Sequence, residues 1–141
     1  RTRKNHPSDF ISYILNLFFF SVVSPLVIIP AGWFFSKEIL HLCYGVNFID
    51  ASPLFSLLLI SFFFMIPNLV LTQATLAINR EIFYAKITCV AALANTALNF
   101  YLIPAMGAKG AAIGTIITEG LVMILIGAGI FLWRRKLNLK Q

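Results

Sequence analysis

The sequence predicts an all-α, multi-pass transmembrane helix bundle with four spanning helices and one short interfacial helix. Three observations carry that reading. Hydrophobic residues make up 60% of the 141 and charged residues 11%, whereas a soluble domain carries about a quarter charged residues to wet its surface. The apolar residues are gathered into four long runs, each long enough to cross roughly 30 Å of hydrocarbon at about 1.5 Å per residue. The basic residues stand mostly at the ends of those runs. A core of this size cannot hide four such runs, so lipid is the simpler solvent.

The first span covers about residues 11–35, after a polar and basic start, RTRKNHPSDF. That start is followed by an apolar run too long for the core of a cleavable signal peptide, so no such peptide is expected. Pro25 and Pro30 interrupt the span and predict a kink, tolerated in a membrane because neighbours satisfy the freed carbonyls. Trp33 suits the interface. Ser36 to Gly45, SKEILHLCYG, reads as a short amphipathic surface helix, with Ser36 as its cap and Gly45 as its end. Val46 to Ser52 reads as a loop.

The second span covers about residues 53–77, with Pro53 in its first turn and Pro67 inside it. The third covers about 82–103, stopped by Pro104. A tight loop, Met106 to Lys109, leads to the fourth span at about 110–133. The tail RRKLNLKQ is basic and polar.

Orientation follows from the cations. Arg1, Arg3, Lys4, Arg80, Lys86, Arg134, Arg135, Lys136 and Lys140 fall on one side, and Lys37 and Lys109 on the other. The positive-inside rule puts both ends of the segment in the cytoplasm, in a plasma (inner) membrane. The net charge of +6 is thereby explained by topology, and no nucleic-acid partner is expected; the partner is the lipid bilayer. Cys43 and Cys89 read as two inert thiols too far apart to bond.

Within the spans, Glu119 is the most informative residue. It lies about 13 Å into the fourth span, where a charge costs about 2.5–3.5 kcal/mol. Intramembrane carboxyls of this kind usually face the bundle interior and bind a proton or cation, touch substrate, or hydrogen-bond a neighbouring helix. Proton or sodium coupling is therefore open, and no other cofactor is expected. Asn95 and Asn99, four apart, share a face of the third span with Thr88 and Ala92; that face either lines a polar cavity or holds the packing. Asn68, Thr72 and Gln73 add polarity just after Pro67, the pattern of a transporter midplane site or of a self-stabilised kink. Gly110 and Gly114 bracket a small-xxx-small packing face. His41 stands alone, and no metal spacing, Ser/His/Asp set or nucleotide-binding loop is visible, so the sequence gives catalysis no positive support.

The stretch LNFYLIPAMGAKGAAIGTIITE, Leu98 to Glu119, resembles a signature of the polysaccharide flippases, the O-antigen and exopolysaccharide exporters of the multidrug/oligosaccharidyl-lipid/polysaccharide (MOP) superfamily. The resemblance rests on Asn99, Ile103-Pro104, Gly107, Gly110-Ala111-Ala112 and Thr115. KEILHLCYGVNFIDASPLFSLL and Ala77 to Arg80 are similar to the family's surface helix, loop and short cytoplasmic turn. It implies part of the C-terminal lobe of a transporter with further helices, which moves an undecaprenyl-pyrophosphate-linked oligosaccharide across the membrane by alternating access. The four spans hold no Arg at mid-membrane depth, so either the pyrophosphate contact comes from other helices or the substrate differs. A multidrug/cation antiporter of the same superfamily and a lipid II flippase are the nearest alternatives. Outside the class stand a membrane-bound envelope transferase, which needs a convergent acid or His set that Glu38, His41 and Asp50 do not display, and an assembly subunit.

Overall fold

A computed structural model describes residues 7–138 and, among them, contains helices and no strand. Helix α1 spans Pro7–Phe34, α2 Ser36–Tyr44, α3 Ser52–Ala77, α4 Glu81–Met106 and α5 Ala108–Asn138, with a 3-10 segment Val46–Ala51 between α2 and α3. Four segments, Ser12–Phe34, Val46–Ala77, Glu81–Met106 and Ala108–Trp133, are long and apolar enough to cross a membrane. This is the architecture of a membrane-embedded protein.

The element ends follow from local chemistry. Ser36 is not a cap. It is the first residue of α2, behind Phe35 in the capping position, and its hydroxyl meets that of Ser52 at 2.6 Å in a buried pair. The two hydroxyls pin the elbow where α1 turns through α2 into α3. The stretch after Gly45 is a 3-10 helix rather than an open loop. Pro104 does not stop α4, which runs on to Met106 and ends at Gly107 with φ +58°. Proline forbids a helical donor at its own nitrogen but leaves the last turn free to close around its carbonyl side. Gly107 ends the helix because its left-handed backbone is open to glycine without penalty. The connection to α5 is thus a single glycine. Pro25 and Pro30 both lie inside a continuous α1.

Packing order differs from chain order. Helix α1 packs on α3, α3 on α5 and α5 on α4, while α3 and α4 touch only lightly and α1 packs against neither α4 nor α5 among the described residues. The four long helices therefore stand in one layer, in the order α1, α3, α5, α4. Helix α5 runs antiparallel to α4, with Gly114 beside Asn99 and Gly110 beside Leu102, and Gly32 of α1 faces Leu59 of α3. Pro25 of α1 and Pro67 of α3 are both fully buried.

Gly110 shows why two small residues open α5. A Cβ there would land on the Leu102 carbonyl, and at Gly114 it would stand 2.7 Å from Asn99 Oδ1. Close backbone approach lets dispersion and weak Cα–H contacts hold helices that gain nothing from hydrophobic exclusion in lipid. Near the α3–α4 turn, Leu71, Ile87 and Ile126 form the tightest apolar cluster, joined by Phe83, Tyr84 and Val122. There α3, α4 and α5 converge. Beyond it α5 fills the space between α3 and α4, and the two outer helices part.

Candidate functional site

Where α3 and α4 part, a groove of about 450 Å³ opens with α5 as its floor. Its polar lining comes from three helices: Asn68 and Thr72 of α3, Tyr84, Thr88 and Asn95 of α4, and Thr115, Thr118 and Glu119 of α5. The α4 residues recur at helical spacing over about three turns, while the polar groups of α3 and α5 each cover about one turn. Glu119 lies about 16 Å along α5 from Ala108, so this polarity sits well inside the spanning segment.

Three cross-helix bonds hold α5 in place. Asn68 Nδ2 donates to Glu119 Oε2 at 2.7 Å and to the Glu119 backbone carbonyl at 2.9 Å. On the other side Asn95 Nδ2 donates to Thr118 Oγ1 at 3.1 Å, and Asn99 Nδ2 donates to Asn95 Oδ1 at 2.9 Å. Thr118 passes its own proton back to the backbone carbonyls of Gly114 and Thr115. Adjacent residues of α5, Thr118 and Glu119, thus face opposite neighbours. Two buried acceptors, Asn68 Oδ1 and Asn99 Oδ1, have no hydrogen-bond partner. Asn99 Oδ1 rests against Gly114, where a Cα–H is its nearest donor. Asn68 is 6% exposed and lines the groove, and none of the described residues supplies its oxygen with a donor.

The residues singled out in the sequence fall into three places. Glu119, Asn68 and Asn95 meet in the groove. Asn99, Gly110 and Gly114 lie behind it, in the α4–α5 contact. Gln73 sits on the exposed side of α3, outside the groove, and its neighbour Thr72 lines it. One residue is about 100° of helix rotation, and sequence polarity alone does not say which of two adjacent polar groups faces inward. Tyr84 and Thr118 are additions from the structure. Their signal in the sequence is spacing: Tyr84 precedes Thr88 by four, and Thr118 follows Thr115 by three.

No His/Cys/Asp/Glu cluster able to hold a metal occurs among the described residues. Cys43 and Cys89 are free and exposed. Fold and groove together define a polytopic helical membrane protein with a polar groove between its second and third long helices. No protein-family model matches the chain, no curated protein matches it, and no solved structure matches it.

Proposed function

We propose that the chain is the C-terminal-lobe part of a polysaccharide flippase of the MOP superfamily, which moves a lipid-linked oligosaccharide across the plasma membrane by alternating access. The observation that supports this reading best is the carboxyl of Glu119, bonded to Asn68 inside a groove at membrane depth. Ionisable groups in spanning helices are expensive and mark substrate or ion paths. The groove is open along one side, and a polar wall of this kind is stable against further protein or water rather than against acyl chains. In the proposed transporter the remaining helices supply that second wall. The Leu98 to Glu119 resemblance supports the polysaccharide branch of the superfamily, and the excess of cations at both ends and at Arg80 supports cytoplasmic termini.

A second reading, a multidrug or cation antiporter of the same superfamily, is favoured by the charge of the groove: among the described residues its lining has the Glu119 carboxyl and no Lys, Arg or His to balance it. Proton or sodium coupling through Glu119 is common to both.

The test is translocation of a fluorescent polyprenyl-pyrophosphoryl oligosaccharide by the complete transporter in proteoliposomes. The flippase reading expects transfer to the opposite leaflet, lost or made pH-insensitive in Glu119→Gln. Transport of a cationic dye with no movement of the saccharide lipid selects the antiporter. Unchanged transport and pH dependence in Glu119→Gln removes the coupling role.

A further inference from the structure

We infer that the groove binds the hydroxyls of a saccharide and excludes phosphate, which is held instead at the α3–α4 turn by Arg80. This rests on the flippase reading and adds the orientation of the substrate.

The inference comes from following each proton. Thr88 donates its hydroxyl proton to the Tyr84 and Ala85 carbonyls, and Thr115 donates to the Ala111 carbonyl. Both therefore offer the groove lone pairs and no proton. Glu119 commits Oε2 to Asn68, and Oε1 has no partner among the described residues. Asn68 Oδ1 is buried without a donor, and the hydroxyls of Thr72 and Tyr84, which also line the groove, have no acceptor among the described residues and keep their protons for it. The lining thus offers neutral lone pairs and hydroxyl protons beside the Glu119 carboxyl, and it contains no Lys, Arg or His. Phosphate has only acceptors at its oxygens when ionised, and here it meets acceptors and a carboxyl in a poorly screened place. A polyol carries a proton on every hydroxyl and can satisfy these oxygens, as buried acceptors require.

Cationic chemistry lies at one end of the same helical face. Counting back from Asn95 and Thr88, the stripe on α4 passes Tyr84 and reaches Arg80, about 22 Å below Asn95 along the helix. A separate hollow of about 310 Å³ is lined there by Arg80, Phe83 and Lys86, together with Glu81. The Arg80 guanidinium lies over the Phe83 ring at 5.3 Å, and Phe83 itself packs against Gly129 of α5. Two cations and one carboxylate leave this mouth net positive. An amphiphile with an anionic link and a hydroxylated body fits with the link at Arg80 and the body over Thr115 and Glu119.

The test uses three probes with one tail: dodecyl maltoside, dodecyl phosphate and dodecyltrimethylammonium, each titrated onto the protein in phosphatidylcholine nanodiscs. The variants are Thr72→Val/Thr115→Val, which removes two groove hydroxyls that carry no bond between helices, and Arg80→Gln. Thermal melting by circular dichroism checks that both remain folded. The double valine variant is expected to weaken the maltoside about tenfold, the equivalent of two ordinary hydrogen bonds, and to leave the phosphate unchanged. Arg80→Gln is expected to do the reverse. Maltoside binding that ignores the valines, phosphate binding that depends on them, or no binding of either probe overturns the inference. So does tight ammonium binding with no maltoside binding. The flipping assay stands apart: saccharide transport without this split defeats the inference and leaves the flippase reading, and the split without transport defeats the reading alone.

Discussion

The α1–α3 contact and the α3–α5–α4 wedge use the same apolar helices and hold them in different ways. Against α1, the polar groups of the spans satisfy themselves: Ser21 donates to the Phe18 carbonyl and Ser61 to the Leu58 carbonyl, each within its own helix. What joins α1 to α3 is shape, Gly32 receiving Leu59, with the Ser36–Ser52 pair at the elbow. Across the wedge, amides and a carboxyl reach from helix to helix. A hydroxyl that closes on its own backbone spends its proton there, needs no other helix and keeps only lone pairs for a neighbour. An amide or carboxyl is too large to hide that way, so it must find another helix, water or a ligand. The wedge is therefore where chemistry can occur, and the α1–α3 contact is scaffold.

The comparison can be broken by substitution, with unfolding free energy measured in bicelles. Gly110→Leu should cause the largest loss, about 3 kcal/mol, because its side chain has only the Leu102 backbone to enter and overpacking costs about 1–3 kcal/mol or more. Gly127→Ala, with nothing within 4 Å of its Cβ, should be nearly neutral in the same helix. Asn68→Leu comes next, at about 1–2 kcal/mol, since it strips Glu119 of its partner. A double-mutant cycle with Glu119→Gln should give a coupling of about 0.6–1.7 kcal/mol, the range for hydrogen bonds between membrane helices. Asn95→Leu should cost about 0.6 kcal/mol. Ser61→Ala should fall within about 0.5 kcal/mol of the parent. A Ser61 effect as large as that of Asn68 erases the distinction between the two regions.

Much of the architecture is written in composition. Four runs of about 20 or more apolar residues leave few alternatives to four helices, and the structure has four of that kind. Glu119 stands out because a carboxyl in such a run has no ordinary reason to be there. The order of the layer was hidden. These helices are apolar on every side, so no amphipathic face says which neighbour each one seeks, and nothing local announces that α5 enters between α3 and α4. The choice of Thr72 over Gln73 was hidden for the same reason, since it depends on a rotation set by Pro67 and Leu71 packing. Pro104 misled through position: a proline breaks a helix interior, but three residues from the end the glycine at 107 decides the stop. Ser36 misled through chemistry, because its hydroxyl had a better partner in Ser52, 16 residues away.

The most direct test of the central claim, that the α3–α4 groove is a polar path inside the membrane, is cysteine accessibility in a Cys43→Ser/Cys89→Ser background. Single cysteines at Thr72, Thr88 and Thr115 are compared with cysteines at Leu93 and Ile124, which are exposed positions outside the groove. Each is treated with a charged, membrane-impermeant thiosulfonate in native membranes. The account expects the three groove positions to react and the two outer ones to stay protected by lipid. Groove cysteines as inert as Leu93→Cys and Ile124→Cys would contradict it, and would make the Asn68–Glu119 bond a packing device in a dry contact.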